Sequence, residues 1–229
     1  RVLFRSLNEL GDRDDLVAKC VPDYPPYGKR ILLDNGWFAA LRRPHVALVD
    51  TPIERVDGSA IVTNDGARHD VDVLVLATGF EVTRMAANLN VTGRDGARLD
   101  EVWADGNPFA YLGISVPGFP NFFCMQGPNT GLGHGGSAIF QSECQARHIT
   151  SCIAAMIERR VPRVEVTEQA TALNVAATDA AHERMIWTHP GMSTYYRNSA
   201  GRVITVMPWR LVDYWSMTHD VDHGAYRFG

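Results

Sequence analysis

Residues 70–82 read DVDVLVLATGFEV, an apolar run at Val73, Leu74, Val75 and Leu76 that ends in Ala77, Thr78 and Gly79. Aliphatic residues without polar alternation predict a strand buried on both faces, as at the centre of a parallel sheet, and so an α/β fold class. The small residues at its end allow two readings. One is a tightly packed strand terminus; the other is a place where the backbone passes close to a ligand and Thr78 offers a hydroxyl.

The flanking sequence extends this pattern. Asp57-Gly58 and Asp65-Gly66 separate short β-branched runs and predict hairpin strands leading into 73–77. Residues 45–50 predict a strand, and 34–43 a short helix capped by Asp34 or Asn35 and ended by Pro44. Residues 1–20 read as a short helix. Residues 22–30, PDYPPYGKR, hold three prolines and one glycine, which predicts a stiff irregular loop carrying Lys29 and Arg30. The polar, glycine-rich stretch 81–110 marks a domain boundary, dividing the chain into 1–80 and 81–229. Beyond it we expect a strand at 121–125, then a helix from Ser137, its cap, to Arg160, stopped by Pro162. Phe140, Cys144, Ile149, Cys152, Ile153, Met156 and Ile157 fall roughly on one side of that helix. A strand near 164–170, a helix over 171–189 and an aromatic-rich tail with a short strand complete the chain.

Composition excludes several classes. With 22 basic against 26 acidic residues, a net charge of −4, the 229-residue chain has no basic stripe for nucleic acid. Cys20, Cys124, Cys144 and Cys152 form no C-x-x-C pair, so reduced thiols in a cytoplasmic protein are expected. Neither a membrane-length apolar run nor a signal peptide is found. The histidines lack metal-binding spacing, so no metal is expected.

Three groups could carry chemistry. Residues 127–136 hold five glycines in ten positions ahead of a helix N-terminus, a setting for a negative or electron-rich ligand atom or simply a loop needing tight turns. The GHGG within it would suit an esterase oxyanion loop, but the chain has no G-x-S-x-G nucleophile. Lys29 and Arg30 are either a solvated basic pair or a fixed site for an anion. Tyr195, Tyr196, Asn198, Trp209, Tyr214 and Trp215 read as packing or, less commonly, as a stacking surface for a flat cofactor.

Together, the ordered segments GKR, LLDNGWFAALRRPHVALVDTPIERV, DVLVLATGF and PNFFCMQGPNTG resemble the C-terminal half of the flavin-dependent Baeyer–Villiger monooxygenases. PDYPPYGKR and GPNTGLGHGGS are most similar to the 4-hydroxyacetophenone monooxygenase branch. The resemblance implies a partial two-dinucleotide-binding, Rossmann-like flavoprotein fold that lacks the N-terminal FAD and NADPH fingerprints G-x-G-x-x-G and the F-x-G-x-x-x-H-x-x-x-W signature. Residues 1–80 would then be the returning part of the NADPH-binding domain and 81–229 the closing part of the FAD-binding domain, completed by an N-terminal half of the same chain.

The implied activity is NADPH-driven reduction of FAD and insertion of one oxygen of O2 next to a ketone carbonyl through a peroxyflavin. By the same resemblance Arg30 stabilises the anionic peroxyflavin and addition intermediate, and Lys29 binds the 2′-phosphate of NADPH. Gly135, Gly136, Ser137 and Ala138 face the flavin, and Ala77, Thr78 and Gly79 lie at the dinucleotide where the domains join. Tyr195 stands where many relatives carry a tryptophan against the nicotinamide cofactor. Two alternatives stay open: a flavin monooxygenase acting on sulfur or nitrogen, and a catalytically silent fragment.

Overall fold

A computed structural model describes residues 8–32, 35–86, 88–133 and 135–229. The chain divides into two compact units, one of Arg1–Asp23 and Ile31–Phe80, the other of Tyr24–Arg30 and Glu81–Gly229. The proline-rich loop thus packs with the second unit, although the sequence places it within 1–80.

In the first unit, α1 (Asp14–Cys20) starts with Asp14 and Asp15 and ends near Lys19, the charge order that suits the helix dipole. Helix α2 (Trp37–Leu41) begins after Gly36, whose φ of 134° favours glycine; of the expected caps, Asp34 lies outside the described residues, and the N-cap position is taken by Gly36 and not by Asn35. Leu10, Leu16 and Leu41 form a small core on which Val46 and Leu48 pack. Residues 45–50, expected as a strand, have no ladder.

The strands β1 (Ile53–Asp57), β2 (Ala60–Thr63) and β3 (Arg68–Asp70) form an antiparallel meander in that order. The second turn is closed by Asp65, which accepts from the Thr63 hydroxyl at 2.6 Å and the Ala67 amide at 3.1 Å.

The expected buried strand at 73–77 is not formed. Val73, Leu74, Val75 and Leu76 are 76%, 43%, 78% and 76% exposed. The reason is pairing. The last cross-strand bond of the meander joins the Val71 amide to the Ser59 carbonyl, and no described strand lies beside 73–77 to take its backbone groups. β-Propensity is realised only against a neighbour.

The second unit holds most of the core. Ala86, Leu99, Trp103, Ala110, Val116 and Phe119 form one cluster around α3 (Leu99–Val102), and the Trp103 indole donates to the Phe109 carbonyl at 2.9 Å. Residues 121–125 make only an isolated bridge, Ser115 with Phe123, because Asn121 (φ 59°) and Gln126 (φ 56°) are left-handed at both ends and break the extended run.

Helix α4 (Ala138–Arg159) is capped by Ser137, whose hydroxyl accepts from the Phe140 amide at 3.2 Å, and ends at left-handed Arg160. Its buried face differs from the expected apolar stripe: Ile153 and Ile157 are exposed, and Gln141, Gln145 and His148 are fully buried beside Cys144 and Cys152. Each of the three polar side chains is hydrogen-bonded. Gln145 accepts from the Gln126 amide and donates to the Tyr214 hydroxyl, both at 3.0 Å, and Tyr214 donates to the Leu112 carbonyl. His148 faces the Thr218 carbonyl with Nδ1, which therefore carries the proton, and accepts from the Tyr226 hydroxyl with Nε2.

Strand β4 (Val164–Val166) pairs antiparallel with β5 (Tyr226–Phe228) at the chain's end. Between them lie α5 (Glu168–His182), capped by Thr167, and α6 (Leu211–His219), which packs on α4. The helix expected to reach residue 189 stops at His182, where the Thr188 hydroxyl donates to the His182 and Met185 carbonyls and draws Ile186–Thr188 into a 3-10 turn.

Candidate functional site

The candidate site lies in the second unit, where the loop 24–30 meets the glycine-rich loop. Tyr27 is left-handed (φ 66°), and the Gly28 amide donates to the Pro25 carbonyl at 3.1 Å, which turns the chain tightly after the prolines. Gly28 is buried, and a Cβ there would collide with the sulfur of Met192. The Tyr27 carbonyl accepts from the Trp187 indole N–H at 3.2 Å. Held this way, the loop presents two exposed cations. Lys29 Nζ stands 4.4 Å from the centroid of the Tyr24 ring, and Arg30 donates to the Leu132 carbonyl over a long 3.4 Å.

Leu132 belongs to the glycine-rich loop, whose glycines answer to different needs. Gly133 is required because Trp187 fills the space a side chain would take. Gly135 has open space around it but a φ of 110°, so its backbone conformation and not packing selects glycine. Gly135, Gly136, Ser137 and Ala138 are all exposed at the start of α4, where first-turn amides have no carbonyl partner within the helix. His134 lies outside the described residues.

The aromatic pair Tyr195 and Tyr196 completes the cluster. Their hydroxyls are 3.4 Å apart, with Tyr195 47% exposed and Tyr196 buried against Trp187. Burial raises the Tyr196 phenol well above the ordinary range and the Tyr195 hydrogen bond adds to this, while the positive charge of Arg30 pulls the other way. The second unit therefore brings Arg30 to the glycine-rich loop at Leu132, with Lys29 next to it in the chain, while Tyr195 packs on Tyr196 and Tyr196 on Trp187.

Ala77, Thr78 and Gly79 belong to the first unit and are exposed. Gly79 has a φ of 83° and nothing near the position of a Cβ, so the conformation alone accounts for the glycine and no close-packed strand end exists there.

Sequence reading missed three supports. Trp187 sits in a region read as helix, and Met192 has no distinguishing neighbours; the Pro190-Gly191 turn was the available sign that the helix stops early. The third is Asn129, whose amide donates to the Val203 carbonyl at 2.8 Å and lies 3.3 Å from His182 Nε2. Burial lowers the His182 pKa to about 4.

No family model matches the chain. It is 45% identical over 219 residues to the uncharacterized monooxygenase y4iD of Sinorhizobium fredii, covering 96% of this chain and 33% of that protein. It is 34% identical over 221 residues to a Baeyer-Villiger monooxygenase of Streptomyces coelicolor, covering 93% and 41%. The chain is thus similar to a part of the Baeyer–Villiger-type monooxygenases.

Solved Baeyer–Villiger structures carry the same fold. A steroid monooxygenase bound to NADP superposes with a TM-score of 0.83 at 29% identity, covering 99% of this chain and 43% of its own. OTEMO in complex with FAD and NADP gives 0.87 at 26% identity, covering 100% and 43%. The chain thus spans well under half the length of these Baeyer–Villiger relatives and has a partial flavoprotein fold of mixed helix and sheet. No helix of the described residues is long and apolar enough to cross a membrane.

Proposed function

We propose that the chain is part of an FAD- and NADPH-dependent monooxygenase that inserts one oxygen of O2 next to a ketone carbonyl through a peroxyflavin, with aryl ketones as substrates as in the 4-hydroxyacetophenone branch. The carrying observation is the placement of Arg30: its exposed guanidinium stands beside the glycine-rich loop, within a long hydrogen bond of the Leu132 carbonyl. FAD, when bound, supplies the oxygen-activating chemistry. The residues fit such a guest, since two cations, an open glycine backbone at Gly135 and a helix N-terminus all favour anionic or electron-rich groups.

In this reading Arg30 stabilises negative charge that develops on the oxygen atoms, a preorganised electrostatic role. Lys29, steadied over Tyr24, takes the 2′-phosphate of NADPH. Gly135, Gly136, Ser137 and Ala138 line the flavin, and the Tyr195 ring stands toward the nicotinamide cofactor. Ala77, Thr78 and Gly79 serve the dinucleotide where 1–80, the returning part of the NADPH-binding domain, gives way to 81–229, the closing part of the FAD-binding domain. A cytoplasmic setting agrees with four free cysteines, of which burial pushes Cys124 and Cys152 up to about 11 and keeps them as thiols.

The test is Arg30→Ala in the full-length enzyme. Ester or lactone formation should fall roughly a hundredfold or more while NADPH oxidation continues. Undiminished product would remove Arg30 from the mechanism. Offering a ketone and a thioether to the same enzyme separates ketone oxygenation from heteroatom oxygenation.

A further inference from the structure

We infer that Trp187 is a positioning residue for Arg30, clamping the loop that carries the guanidinium against the glycine-rich loop that receives it. The inference rests on the role proposed above for Arg30. Trp187 is 2% exposed and sits in the Ile186–Thr188 turn after α5. Its indole N–H donates to the carbonyl of Tyr27, three residues before Arg30. The six-membered edge of the same ring fills the space beside Gly133, the residue after Leu132, whose carbonyl accepts from Arg30. One side chain therefore touches the chain on both sides of the Arg30–Leu132 bond.

That arrangement matters because the bond itself is weak. At 3.4 Å it fixes the guanidinium poorly, so Arg30 is placed by its loop more than by its hydrogen bond. The loop also holds Tyr27 in a left-handed conformation that a tyrosine adopts only under constraint, and the Tyr27 side chain, 52% exposed, does not supply that constraint. Met192 against Gly28 is a second anchor, but a thioether packs without direction. The indole gives the directional one, and edge contacts with Tyr196 and His182, centroids 6.0 and 5.9 Å away, set its own orientation.

The experiment is Trp187→Phe in the full-length enzyme, which keeps an aromatic ring in the pocket and deletes both halves of the clamp, the indole donor and the ring edge against Gly133. Product formed per NADPH consumed should fall about tenfold or more, with flavin content and melting temperature close to wild type, since small misplacements of a charge-stabilising group are costly. In the double variant with Arg30→Ala the coupling should be no worse than in Arg30→Ala alone, as expected for a residue that acts through Arg30. Wild-type coupling in Trp187→Phe, loss of coupling only together with flavin, or additive losses in the double variant would each overturn the inference. If Arg30→Ala uncouples and Trp187→Phe does not, Trp187 alone is misassigned; if Arg30→Ala leaves product formation intact, the reading of Arg30 fails first.

Discussion

The two units use similar residues to opposite ends. In the first, four successive aliphatic side chains at 73–76 face solvent, and the buried apolar residues among those described are Leu10, Leu16 and Leu41, with Ala60 and Val62 on β2. In the second, apolar clusters close around Trp103, Tyr226, Trp187 and Met207, and even glutamine and histidine are taken inside. Burial is thus a property of neighbours and not of residue type. An aliphatic run without a pairing strand stays outside, while Gln145 goes in because Gln126 and Tyr214 wait for it.

Three perturbations probe that contrast. The largest effect belongs to Trp103→Ala in the second unit, which removes a buried ring and its bond to the Phe109 carbonyl; unfolding in urea should show a loss of about 3–5 kcal/mol.

Next comes acid. His182 titrates near 6.5 when unfolded and near 4 when folded, so between those values only the unfolded chain binds the proton. Stability is then fully present above about 6.5 and falls as pH drops toward 4, at up to roughly 1.4 kcal/mol per pH unit. Melting temperatures across that window check this, and His182→Gln should flatten the profile.

The smallest effect is expected for Leu76→Ser in the first unit, within about 0.5 kcal/mol of wild type in the same urea assay. A loss of several kcal/mol there would mean that the run 73–76 is covered in solution, and the contrast between the units would collapse.

Local signals were legible where they need no distant partner. Ser137 and Pro162 bracket α4 to within a residue or two, and the two Asp-Gly turns announce the meander. The face of α4 was not, because Gln145 and His148 look like part of a solvent stripe until the distant residues Tyr214, Thr218 and Tyr226 supply their partners. The strand at 73–77 failed for the mirror reason. At the site, glycine density marked the loop, but for Gly133 the cause is a tryptophan 54 residues later, which spacing cannot disclose.

The seven residues from Tyr24 to Arg30 are covalently embedded in one unit and packed in the other. A gene severed after codon 80 would therefore not yield two modules. Its downstream product would carry an indole with no Tyr27 carbonyl to bond and a methionine facing the gap left by Gly28, so recombination between relatives has to exchange this plug and its socket together.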